Sequence, residues 1–70
     1  MMPLTFADPG RVNIIKKIGG TPEVKQHLED MGFNVGGRVC VISALGGNII
    51  VRVKDARVAL SSGLAAKIMV

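Results

Sequence analysis

The segment 24–42 constrains the fold more than any other part of the sequence, because an amphipathic helix ends there on a glycine and leads directly into a β-branched strand. Apolar residues recur at i, i+4 and i+7, as one buried helix face requires; they are Val24, Leu28 and Met31. Thr21 can cap the helix with its hydroxyl, and Pro22 suits the first helical position. The sequence therefore predicts a capped helix after Thr21.

Gly32 is predicted to end this helix. Glycine readily adopts the left-handed conformation of a Schellman ending, which would place Phe33 on Leu28. Gly36 lies in the next turn, before a strand at 38–45 whose two faces are both apolar. Such a strand is expected to lie in the middle of a sheet. We therefore expect Gly32 and Gly36 to be structural turn residues.

Four further strands are predicted from alternating apolar residues and from turn residues. The first spans 11–18, with a bulge near its middle and with Val12, Ile14 and Ile18 on the core side. A glycine turn at 46–47 precedes the clearest strand, in which apolar residues alternate with Ile50, Arg52 and Lys54. Shorter strands are predicted at 57–60 and 66–70. The whole is a small, mostly β fold of five strands with one helix inserted after the first strand.

Length and composition indicate a single domain, 1–70. No apolar run approaches the roughly 18 residues that span a bilayer, and the first ten residues lack the pattern of a signal peptide. We therefore expect a cytoplasmic protein without direct membrane insertion. The lone Cys40 agrees with a reducing compartment. The net charge of +4 would suit an acidic protein surface, nucleic acid or anionic lipid, and it selects none of them.

Few residues are candidates for chemistry. Cys40 and His27 are the only members of the classes that bind zinc or iron through soft ligands, so no metal site and no cofactor are expected. A Cys–His catalytic pair is conceivable, but a cysteine between two valines is more typical of a small buried residue. We therefore predict no catalytic residues and no enzyme activity.

The main basic feature is the outward row of Arg52, Lys54 and Arg57. A β domain can bind nucleic acid through such a row, but no aromatic residue lies within it to stack on a base. Charged residues on strands also prevent edge-to-edge pairing. No specific nucleic acid is therefore expected, although a nucleic-acid-binding module is kept as an alternative.

The run 27–39 resembles the helix-to-strand signature of the FeoA family, small proteins of bacterial ferrous iron uptake, in which Leu-x-x-Leu-Gly-Leu-x-Pro-Gly precedes a strand. The matching positions are Leu28, Met31, Gly32, Phe33 and Gly36. The resemblance continues at Pro9-Gly10, at Val58-Ala59-Leu60 and at Ala65-x-x-Ile68-x-Val70. This sequence departs from the family at Val35, where proline is usual, and at His27, where arginine is common.

The resemblance implies a five-stranded SH3-like barrel and an accessory role in ferrous iron uptake. The implied partner is FeoB, a membrane transporter with a GTPase domain, contacted on its cytoplasmic side. A related SH3-like domain ends DtxR-type repressors and is the nearest alternative. Residues around the helix exit are predicted to bind the partner: Met31, Phe33, Val35 and Arg38. The expected state is a monomer or a weak homo-oligomer.

Overall fold

The computed structural model describes residues 1–70 as two antiparallel sheets with short helices between them. The strands are β1 (Val12–Ile14), β2 (Lys17–Ile18), β3 (Arg38–Leu45), β4 (Asn48–Val53), β5 (Ala56–Ser61) and β6 (Ile68–Met69). The helices are α1 (Pro22–Asp30) and α2 (Ser62–Ala65), and a single 3-10 turn spans Leu4–Phe6. One sheet has the order β1-β3-β4-β5, and the other pairs β2 with β6. The mostly β prediction is confirmed, but the structure has six strands and two α-helices where five strands and one helix are predicted, and its two sheets do not close into one barrel.

Both α-helices begin with a side-chain cap. The Thr21 hydroxyl accepts a hydrogen bond from the Val24 N–H at 3.2 Å, as predicted. The Ser61 hydroxyl accepts from the Leu64 N–H at the same distance. Each cap satisfies one of the N–H groups that a helix leaves unpaired at its start. Neither helix has the length and apolar composition needed to span a membrane.

The end of α1 is a Schellman motif, as predicted. The Gly32 N–H donates to the Glu29 carbonyl at 2.9 Å, and the Phe33 N–H donates to the Leu28 carbonyl at 3.0 Å. Gly32 has φ +106°, a conformation that side-chain-bearing residues rarely adopt. The turn directs Phe33 inward, where both Phe33 and Leu28 are completely buried.

One apolar core joins the two sheets and α1. It contains fifteen buried residues, none of them polar. Strand β3 lies inside the four-stranded sheet, as its two apolar faces predicted, and it turns Val39 and Val41 inward. Val51 and Val53 of β4 lie on the same inner side. On the opposite side of this sheet Val12, Ile14 and Arg52 are exposed.

The predicted first strand is wrong in two respects. It is two strands in different sheets, β1 and β2, and not one bulged strand. Val12 and Ile14 were expected in the core, but they are 64% and 45% exposed, while Ile15 is buried. The cause is a change of partner: the Ile15 N–H donates to the Gly37 carbonyl, and the Lys16 N–H then donates to the carbonyl of Met69 in β6. As the chain passes from β1 to β2, the set of side chains that points into the core changes.

Candidate functional site

The structure brings only part of the predicted partner-binding patch to the surface. Phe33 has no exposed area, because the Schellman turn places its ring in the core. It is therefore not retained as a contact residue. Met31 is half-buried and packs against the core. Val35 is 66% exposed and Arg38 is exposed, so these two residues are available to a partner.

The turn that carries Val35 is held against the end of β1. The Gly37 N–H donates to the Asn34 carbonyl at 2.9 Å and closes the turn. Gly36 has φ +88° in this turn, which agrees with its predicted structural role. Its N–H donates to the Ile15 carbonyl at 2.8 Å. The hydrogen bond fixes Val35 beside the four-stranded sheet instead of leaving it on a free loop.

The face of the four-stranded sheet that points away from the core is called the outer face. Strand register places four of its side chains in one row across the sheet: Val12 opposite Cys40, Cys40 opposite Arg52, and Arg52 opposite Arg57. Ile14 opposite Arg38 forms a neighbouring pair. Directly opposed residues have Cβ atoms about 4.5–5.5 Å apart, so these side chains are neighbours on the sheet. The outer face thus combines exposed aliphatic groups with guanidinium groups.

Two shallow depressions adjoin on the outer face, with volumes of about 250 and 300 Å³. They share Val12, Cys40 and Arg52. Their basic residues are Arg38, Arg52, Lys54 and Arg57, and their one acidic residue is Asp55. Small-molecule sites commonly have volumes of about 300–1,000 Å³ and enclose their ligand, so an open face of this kind better suits a macromolecular partner.

The predicted patch at the helix exit and the predicted basic row, which are separate in the sequence, share one surface in the structure. Arg38, assigned to the helix-exit patch, lines the same depression as Arg52 and Lys54 of the basic row. Sequence reasoning missed the aliphatic part, Val12 and Ile14, because alternation alone fits either phase of the segment 12–18. Only the pairing of β1 with β3 shows which phase faces solvent.

Cys40 and His27 do not form a catalytic pair in this fold. Cys40 lies half-buried on the outer face, and its thiol is 3.6 Å from the Val41 carbonyl oxygen. His27 lies in the last turn of α1, the helix whose Leu28 enters the core on the opposite side of the sheet. The sequence alone does not exclude a contact between Cys40 and His27, but in the structure the four-stranded sheet lies between them.

We predict that folding is independent of metal. No three His, Cys, Asp or Glu side chains are grouped closely enough to hold an ion. A structural metal would couple its binding energy to folding, so its removal would lower the melting temperature. Thermal melts in a strong chelator and in added ferrous iron should therefore coincide within about 1 °C, well below the shift of about 4–8 °C expected per kcal/mol for a small domain. A chelator-induced loss of structure would contradict this prediction.

The fold and the outer face define a small SH3-like domain with an exposed face that is both basic and apolar. The family model described as the FeoA domain matches residues 2–70. A Methanocaldococcus jannaschii protein that is assigned as Fe(2+) transport protein A is 41% identical to this chain over 70 residues. The match covers 100% of this chain and 85% of that protein. The chain belongs to the FeoA family, the ferrous iron transport A proteins.

Solved structures agree with this assignment. A crystal structure of an iron uptake regulatory protein (FeoA) matches with a TM-score of 0.86 and 33% identity, over 96% of this chain and 89% of that one. An iron(II) transport protein A from Clostridium thermocellum matches with a TM-score of 0.90 at 24% identity, over 97% of this chain and 43% of that one. A manganese-dependent transcriptional repressor has a TM-score of 0.85 at 23% identity, over 94% and 38% respectively. The last two similarities show the fold alone, and the SH3-like prediction is confirmed.

Proposed function

We propose that this protein is a non-enzymatic, cytoplasmic accessory component of ferrous iron uptake that binds the cytoplasmic part of an FeoB-like transporter. Membership in the FeoA family supports a role in ferrous iron uptake. The outer face carries the proposal of direct contact, because it exposes aliphatic and arginine side chains together on a rigid sheet. Iron is then handled by the transporter and not by a metal site in this chain.

The chemistry of the outer face is that of a protein interface. Binding energy at such interfaces concentrates in a few well-packed residues, among which arginine is enriched, while surrounding contacts exclude water. Val12 and Ile14 supply apolar area that folding has left uncovered. Val35 is a further exposed apolar side chain, in the turn after α1, and Met31 lies half-buried at the end of that helix. Arg38 and Arg52 supply donors beside it.

Substitutions at Val35 and Arg38 are predicted to reduce binding more than stability. Both side chains are exposed, so Val35→Asp and Arg38→Glu should each change the free energy of unfolding by about 0.5 kcal/mol or less. Each should weaken binding to the transporter's cytoplasmic region about tenfold or more, which corresponds to roughly 1.4 kcal/mol. Isothermal titration calorimetry gives the affinity, and thermal melts give the stability.

Lys25→Glu is the matched control for charge reversal. Lys25 is exposed on α1 and lines neither depression. A glutamate there lies in the first turns of the helix, where negative charge is favourable. This variant should bind the transporter region as the wild type does. If Val35→Asp and Arg38→Glu unfold the protein, or if they bind normally, the contact surface lies elsewhere.

Nucleic-acid binding is the competing function, since four basic residues line the depressions. Neither depression contains an aromatic residue on which a base could stack. An interaction carried by phosphate contacts would fall steeply as salt rises, whereas the apolar part of a protein contact would persist. Titration of the same protein with a single-stranded oligonucleotide at two salt concentrations separates the two functions.

A further inference from the structure

Arg52 and Arg57 form a pair of like charges on the outer face. They are directly opposite each other on β4 and β5, an arrangement that is unfavourable in a sheet. No arginine side chain forms a hydrogen bond in the structure, so neither guanidinium of this pair is held by a carboxylate of the chain. Two adjacent guanidinium forks are well suited to bind a carboxylate group in bidentate fashion.

The other half of the same row is apolar. Val12 and Cys40 lie opposite each other on β1 and β3, and both line the two depressions. The row crosses four strands, and neighbouring strands are about 4.8 Å apart, so it is about 14 Å long. An extended chain rises about 3.3 Å per residue, and four to five residues would therefore cover it.

We infer that the outer face binds a short, extended acidic segment of the partner protein, with an aliphatic side chain over Val12 and Cys40 and carboxylates on Arg52 and Arg57. The inference deepens the proposed function and rests on it. Charge complementarity carries it, because four basic residues and one acidic residue line the depressions. Arg38 and Lys54 border the apolar half and would hold further carboxylates of the segment.

A peptide segment fits these observations better than a nucleic acid does. The depressions contain no aromatic platform for bases. The row has Val12 and Cys40 at one end and two arginines at the other, which suits an aliphatic side chain followed by carboxylates.

The test uses a pair of capped heptapeptides, Gly-Glu-Leu-Asp-Glu-Asp-Gly and its uncharged counterpart Gly-Gln-Leu-Asn-Gln-Asn-Gly. NMR titration of the full chain should show shifts at Val12, Cys40 and Arg52 with the acidic peptide, and affinity at least about tenfold lower with the uncharged one. Raising the salt concentration from about 50 to 300 mM should lower the affinity for the acidic peptide several-fold, because salt screens the charges. The single Cys40 gives a second readout, since a bound peptide should slow its alkylation.

Arg52→Glu is the decisive variant, because it should fold normally. A glutamate opposite Arg57 replaces a like-charge pair with an opposite-charge pair. It should nevertheless lose at least about tenfold in affinity for the acidic peptide, since it removes one guanidinium and neutralises the other. Lys25→Glu carries the same charge change away from the outer face and should bind within about twofold of wild type.

Several results would overturn the inference: equal binding of the two peptides, unchanged affinity of Arg52→Glu, or tighter binding of an oligonucleotide or of anionic vesicles than of the acidic peptide. The transporter's cytoplasmic region is titrated in parallel. Binding of that region without binding of the acidic peptide would refute the acidic segment and leave the proposed function intact. Binding of the peptide without binding of that region would support the recognition chemistry and refute the transporter as partner.

Discussion

Phe33→Ala is expected to destabilise the protein by about 3–5 kcal/mol, the loss typical of removing a buried phenylalanine. Phe33 is the largest of the completely buried side chains, and it belongs to the same apolar core as Leu28 of α1 and Val53 of β4. Domains of this size commonly have a total stability near the lower end of the range of about 5–15 kcal/mol. The variant should therefore keep only about 0–2 kcal/mol of stability and be partly unfolded at 37 °C. Urea denaturation followed by circular dichroism measures the loss.

Two further substitutions make this prediction decisive. Phe33→Leu keeps the site apolar and should lose less stability, so that a folded variant remains to be measured. Val35→Ala changes an exposed residue two positions later and should alter stability by about 0.5 kcal/mol or less. A Phe33→Ala protein that keeps its stability and loses only partner binding would show that the ring is a surface contact after all.

Gly32→Val is expected to produce the second-largest loss of stability, about 2–3 kcal/mol, while Gly32→Ala should cost about 1–2 kcal/mol. Space is not the reason, since an added Cβ would meet its nearest neighbour, Lys54 Cδ, at 3.7 Å. The cost comes from φ +106°, which a β-branched residue adopts with strain. Because the same turn directs Phe33 into the core, both substitutions test the Schellman motif.

Gly63→Ala is the control for Gly32. Gly63 lies in α2, an added Cβ would meet nothing within 4 Å, and its φ lies outside the left-handed region. Alanine favours a helix over glycine by about 0.5–1 kcal/mol, so this variant should be as stable as wild type or slightly more stable. Equal urea midpoints for wild type and Gly32→Val would contradict the helix ending described here.

The elements predicted correctly from sequence are those whose signals are local. The cap at Thr21, the stop at Gly32 and the strand Arg38–Leu45 each depend on a few consecutive residues. The hairpin between β3 and β4 is equally local, and Gly46 has φ +62° in its turn. Local chemistry of this kind can be read from one sequence, because caps and turns require particular residue types.

The candidate site could not be predicted in the same way, because it depends on strand register. Val12, Cys40, Arg52 and Arg57 come from four strands and meet through three separate pairings. No short pattern in the sequence sets these pairings. For the same reason the alternation pattern predicts the wrong side of β1 for the core. Ile14 and Ile15 are equally apolar, and only the change of sheet decides which of them is buried.

The most direct test of the central claim is an NMR titration of the isotopically labelled protein with the cytoplasmic region of the transporter. We predict that the largest amide shifts cluster on β1, β3 and β4 around Val12, Arg38, Cys40 and Arg52. Arg52→Glu should abolish these shifts at the same protein concentrations, while its own spectrum remains that of a folded domain. Shifts confined to α1 around Lys25, or an unchanged titration of Arg52→Glu, would contradict the claim.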